Sequence, residues 1–257
     1  MTPATPPVSV VGDDALADRL AATCRVETVP SSGGVVVVAG PVGERAAAAG
    51  RAAATGAHPF VLWPPGVSAA DADALSARAE EAGVEVGVAR PALGRPAAGL
   101  DGWTARLVSL SLPAPPDGAL GAGGVVGGAL DLVLALVGRS AVARLDAAAE
   151  RDGARLVALA ASLRFRSGAF AQVWVGGKGS STLYASRPGS RVEATALDRP
   201  LAVEERPAPP APPAPDPLAA EVAAFAEAVR AGRRPAYGLD AALGTLRLVE
   251  RVHGHLR

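Results

Sequence analysis

The 257-residue sequence has one cysteine, Cys24, and one lysine, Lys178. A single cysteine excludes an internal disulfide and any cysteine-based zinc site, and it fits a reducing compartment. Cys24 itself reads as a small buried hydrophobe. There is no excess of charge of either sign: 25 basic residues balance 25 acidic ones. A one-signed field that would gather nucleic acid or anionic membrane is therefore missing. Residues 1–7 carry neither a basic nor an apolar leader segment, so no signal peptide and a cytoplasmic location are expected. The nearly charge-free stretch Gly118 to Gly138 approaches the length of a bilayer span, but Asp131 and its many glycines read as a buried turn followed by a core helix. What is abundant is alanine, arginine, glycine and proline, and 49% of residues are hydrophobic. That is enough to bury the core of one domain or two small ones, although alanine-rich runs carry little weight as helix signals.

Strands and helices alternate through the first part. Val8 to Val11 is a short β-branched run ending at Gly12, followed by helical spacing from Asp13 to Thr23. Val26 to Val29 and Val35 to Val38 are further strands, the second with the unbroken apolar run of a strand buried on both faces. Glu44 to Thr55 reads as a helix, Pro59 to Trp63 as a strand, Ala69 to Ala82 as a helix and Val84 to Val88 as a strand, which together imply a parallel sheet. From about residue 92 the pattern changes to longer alternating segments, at 106–112, 141–147, 155–165, 169–175, 181–185 and 191–196. Ser167-Gly168 between two of them is a hairpin signal, so this part reads as mainly antiparallel sheet. Arg206 to Pro217 reads as an extended proline-alanine linker ahead of two helices, Leu218 to Ala231 and Leu239 to His253. The expected organisation is a shortened Rossmann-like domain at 1–91, an open antiparallel sheet domain with helices on one face at 92–205, the linker at 206–217 and closing helices at 218–257.

This order resembles the Gfo/Idh/MocA family of nicotinamide-dependent sugar oxidoreductases. Val35-Val36-Val37-Val38-Ala39-Gly40-Pro41 looks like the family's strand and turn beside the nicotinamide. Phe60-Val61-Leu62-Trp63-Pro64-Pro65 stands where the family has its Glu-Lys-Pro strand end. Gly118 to Gly138 is similar to the approach to the family's catalytic helix, and Glu221, Phe225, Gly232, Pro235, Asp240, Leu243 and Leu246 to Glu250 resemble its closing helical pair. The resemblance implies that Gly12, Ala39 and Pro41 would touch any bound cofactor, and that one face of the second sheet forms a subunit interface.

The departures fall on the residues that would carry the chemistry. A dinucleotide loop needs glycines so that its backbone and the following helix amides can approach a pyrophosphate. In Val11-Gly12-Asp13-Asp14-Ala15-Leu16-Ala17 only Gly12 remains of the first two, and Asp14 adds bulk and negative charge unless it turns outward and caps the helix. Only about twenty residues separate Gly12 from Val35, which implies that the adenosine half of the site is deleted; Glu27, the one nearby acid, lies too early for a ribose-binding role. The resemblance further implies a lysine, an aspartate and a histidine for proton transfer, and aligns them with Pro64, Gly124 and Gly128. None of these carries a proton.

Other groups offer no obvious replacement. His58 precedes a strand on the side away from a ligand and reads as a solvated or capping residue; His253 and His255, two apart, do not share a helix face and form no metal pair. Asp131 is expected to pair with Arg139 or Arg144, and Lys178 lies in a Gly-rich turn. Tyr184, Tyr237, Trp63, Trp103 and Trp174 read as core or interface residues, with Trp63 bordering any surviving cleft. Trp63, Asp131, Lys178 and Tyr184 are the cleft candidates. The leading reading is a catalytically degenerate member that binds no cofactor and acts as a structural or regulatory partner, in a homo-oligomer or beside an active relative. One alternative is an oxidoreductase of a sugar or polyol holding NAD or NADP in an atypical site. The other is a protein that binds or transforms a small metabolite without nicotinamide.

Overall fold

The computed structural model describes residues 7–21, 26–27, 32–100, 102–114, 124–152, 155–176, 180–195, 197, 201 and 216–256. The chain divides into two compact units, residues 1–90 with 214–243 and residues 91–213 with 244–257.

The first unit holds a parallel sheet ordered β2-β1-β3-β4-β5, formed by β1 (Val8–Val11), β2 (Val26–Glu27), β3 (Val35–Val38), β4 (His58–Val61) and β5 (Gly87–Val88). Four valines in a row make β3, and all four are buried, as expected of a strand covered on both faces. On one face Val35, Val37 and Phe60 pack with Leu16 and Leu20 of α1 (Asp14–Ala21) and with Val222 and Phe225 of α5 (Pro217–Arg230). α2 (Val42–Ala54) lies against β3 and β4 and packs on α3 (Ala69–Ala82). The start of α3 is set by a capping box, in which Ser68 accepts from the Asp71 amide while the Asp71 carboxylate accepts from the Ser68 amide. Its end is set by Gly83 in the left-handed region. α5 starts at Asp216, whose carboxylate accepts from the Leu218 and Ala219 amides, with Pro217 in its first turn.

The deletion implied by the spacing between Gly12 and Val35 is only partial. β2 is present and pairs with β1 through Val8–Val26 and Ser9–Glu27, so α1 and its following strand survive in shortened form. Residues 28–34 are all that lie between β2 and β3, too few for a strand-length crossover helix.

The second unit carries a six-stranded sheet ordered β11-β10-β6-β9-β8-β7. Its strands are β6 (Leu107–Leu112), β7 (Val142–Asp152), β8 (Arg155–Phe165), β9 (Phe170–Val175), β10 (Thr182–Arg187) and β11 (Ser190–Ala194). Every pairing is antiparallel except β6 with β9. Ser167-Gly168 turns β8 into β9, with Gly168 at φ +84°. The inward residues of these strands form one core with α4 (Val125–Leu136) and with Leu248, Val249 and Val252 of α6 (Leu239–His255). From Val126 to Leu134 every residue of α4 is buried, which accounts for the charge-free run of the sequence. Among the described residues no helix is long and apolar enough to cross a membrane. A 3-10 helix, Ala92–Gly99, which periodicity gave no sign of, packs on α4. The proline-alanine stretch from 206 and Lys178 lie outside the described residues.

Candidate functional site

In a parallel sheet of this kind a ligand crevice opens where the strand order reverses, at the carboxyl ends of β1 and β3. Gly12 follows β1 with φ +94°, and a Cβ there would stand 2.7 Å from the Gly40 nitrogen. Only glycine allows the two turns to approach so closely. Ala39 is buried and donates its amide to the Val11 carbonyl at 2.9 Å. Pro41 is the exposed N-cap residue of α2 and accepts from the Glu44 amide. Gly12 therefore stands at the carboxyl end of β1, and Ala39 and Pro41 stand at that of the adjacent β3. Asp13, rather than Asp14, caps α1: its carboxylate accepts from the Leu16 amide at 3.0 Å, and Asp14 is exposed in the first turn.

The neighbouring strand end belongs to Trp63 and Pro64, joined by a cis peptide bond, with Trp63 half-buried and Pro64 buried. Sequence reasoning missed the residue that ties these turns together, Arg45 of α2. Its Nε donates to the Gly40 carbonyl at 2.8 Å and reaches that of Ala39 at 3.4 Å. Its Nη1 donates to the carbonyls of Trp63 at 2.9 Å and Pro64 at 3.2 Å, with that of Leu62 at 3.4 Å. Burial lowers the pKa of the guanidinium from its ordinary value. No sequence motif marks such a role; the only signal is an arginine one turn into a helix that follows Gly40-Pro41.

In the second unit Gly124 is the N-cap residue of α4, without a side-chain cap. Gly128, one turn later, is buried, and a Cβ on it would meet the Leu93 side chain at 3.0 Å. The volume beside Gly128 is already filled with hydrocarbon. Asp131 is 0% exposed and accepts at Oδ1 from Arg139 Nη2 and from Thr245 Oγ1, each at 3.0 Å. Of the two arginines offered as its partner, Arg139 is the one used, while Arg144 pairs with Asp146. Asp131 therefore lies in the core rather than in a cleft. Tyr184 is 36% exposed and alternates with buried Leu183 and Ala185, so it points to the sheet face opposite the core. Trp174 shares that exposure, whereas Trp103 and Tyr237 are buried. His58 lies at the amino end of β4, where its Nδ1 accepts from the Glu85 amide at 3.0 Å. Burial lowers its pKa, against the pull of the Glu85 charge. Among the described residues no cluster of histidine, cysteine and carboxylate side chains could hold a metal ion.

No family model and no curated protein matches the sequence. Solved structures do. UDP-N-acetylglucosamine 3-dehydrogenase GnnA from Acidithiobacillus ferrooxidans superimposes with a TM-score of 0.80 over 97% of each chain at 18% identity. An aldose-aldose oxidoreductase from Caulobacter crescentus gives a TM-score of 0.76 over 98% of this chain and 97% of that one at 20% identity. A mutant of KijD10, a 3-ketoreductase from Actinomadura kijaniata in complex with TDP-benzene and NADP, gives 0.70 over 99% and 98% at 21% identity. The chain has the Gfo/Idh/MocA fold. At these identities the likeness fixes the fold alone.

A dinucleotide on a Gfo/Idh/MocA fold would lay its pyrophosphate on the amides that open the first helix. In this chain the Leu16 amide already serves Asp13, and Asp14, in the first turn, is exposed.

Proposed function

We propose that this Gfo/Idh/MocA-fold protein is catalytically degenerate and serves as a structural or regulatory subunit. The observation that carries the reading is Gly128, with Leu93 packed where a side chain would project. If Gly128 stands where the family has its helix histidine, that position has lost both its proton carrier and the space for one. Pro64 and Gly124, at the positions read as lysine and aspartate, likewise have no ionisable group. Asp13 and Asp14 at α1 disfavour NAD or NADP, and Gly12 and Ala39 are left as contacts between the chain's own turns. A subunit role is supported by the outward face of the second unit's sheet, where Leu107, Trp174 and Tyr184 are 40%, 46% and 36% exposed. Such a face suits a second copy or an active relative.

Titration with NADH and NADPH, followed by tryptophan quenching and thermal shift, tests the reading. No response at millimolar cofactor is the expected result, and a dissociation constant at or below about 10 μM, near −7 kcal/mol, overturns it. The second reading is an oxidoreductase of a sugar or polyol with an atypical NAD(P) site. Its support is the retained crevice order, β2-β1-β3-β4-β5, with Trp63 at its border. Cofactor binding in that titration would favour it.

A further inference from the structure

The outermost strand of the second unit's sheet, β7, is eleven residues long and pairs only with β8 among the described residues. An edge of that length with free amide and carbonyl groups is a template for another strand unless something blunts it. Its pairing with β8 is irregular at two places, between Val142 and Arg144 and between Glu150 and Arg151. Near its start, the Ala141 and Val142 carbonyls already accept from the Arg166 amide and from Arg251. What remains is a regular segment from Arg144 to Glu150, with Ala147, Ala148 and Ala149 in the middle and no proline or glycine.

We propose that this segment joins a second copy of the chain, antiparallel about a two-fold axis at Ala147, so that the two mixed sheets become continuous. The charges select the register. With the axis at Ala147, Arg144 of each copy lies opposite Glu150 of the other, on the same sheet face, and alanines meet at the centre. Directly opposed unlike charges stabilise such a pair and like charges oppose it. Moving the axis to Asp146 sets that carboxylate against its own copy, and moving it to Ala148 sets Asp146 against Glu150. Arg144 and Asp146 of one copy already form an ion pair at 2.9 Å, with 71% and 62% of their side chains exposed. Glu150 of the second copy would extend that pair to an acid-base-acid row. The inference goes beyond the subunit role above and does not depend on it, because it concerns the sheet's edge rather than the face bearing Trp174 and Tyr184.

Two measurements on the full chain test it. In a Cys24→Ser background, Ala147→Cys is expected to form a covalent dimer under mild oxidation. Opposed residues across an antiparallel pair have Cα atoms about 4.5–5.5 Å apart, within disulfide reach. Ala149→Cys, which would face Leu145 of the other copy, is expected to stay uncrosslinked under the same conditions. In sedimentation equilibrium, Arg144→Glu or Glu150→Arg alone is expected to weaken self-association about tenfold or more, and the double exchange to restore it. A chain that is monomeric throughout its soluble range overturns the proposal. So does a dimer that Trp174→Ser abolishes but the edge variants leave intact, or equal crosslinking at 147 and 149.

Discussion

His58 and Asp131 are held by different kinds of partner, a backbone amide in one case and an arginine in the other. The His58 ring accepts the Glu85 amide at Nδ1, an arrangement open only to a ring without a proton there, and burial lowers its pKa below the ordinary 6.5. Above that value the ring is neutral in folded and unfolded chains alike. As pH falls below it, the unfolded chain takes up the proton first, so stability is lost through that window. Denaturant midpoints measured between about pH 7.5 and 5.5 should fall with pH, and His58→Gln should flatten that part of the profile. Asp131 instead keeps a counter-charge in Arg139, the one non-glycine residue with positive φ among the described residues, at 53°. The left-handed turn formed by Gly138 and Arg139 is what returns that guanidinium toward α4.

Helix ends show which signals a sequence carries and which it does not. The bounds of α3 are those read from the sequence, because Ser68, Asp71 and Gly83 mark them locally. The bounds of β8 were equally readable from alternation between Arg155 and Phe165. The 3-10 helix at Ala92–Gly99 was not, since eight residues rich in alanine, glycine and proline carry no helical apolar period, and with it Leu93 escaped notice as the residue that fills the space beside Gly128. Arg45 was invisible for a related reason. Its partners are carbonyls of two turns distant in sequence, and a carbonyl is the same on every residue. The interior of α6 still carries a glycine, Gly244, with open space where a Cβ would stand. Gly244→Ala should therefore raise stability by about 0.5–1 kcal/mol, read from the denaturant midpoint.

The balance of charge is a property of the whole molecule. With a formal net charge of zero and a pI near 6.9, the protein has little mutual repulsion at neutral pH. Solubility against polyethylene glycol should be lowest close to that pH and rise on both sides of it. The same neutrality leaves local charge patterns, such as the Arg144 to Glu150 segment, to decide which surfaces meet. Each unit encloses its own core, one built around β3 and Phe60 and one around α4. The fold was readable because each of these cores has its own periodicity, strand and helix alternating in the first and long strands in the second. The candidate site was legible only through the resemblance, which aligns Pro64, Gly124 and Gly128 with a lysine, an aspartate and a histidine, and the side chain of Leu93 that packs beside Gly128 could not be read from it.

Arg45 also bears on motion. By holding the carbonyls that follow β3 and β4, it gives the crevice walls a fastening of their own, independent of any visitor. Hydrogen exchange would register this in the Ala39 and Leu62 amides, which are bonded to the Val11 and Val38 carbonyls. They should be slow in the protein alone, unchanged by added nucleotide, and faster by about tenfold or more in Arg45→Ala. A binding site of this kind would be shaped before anything arrives.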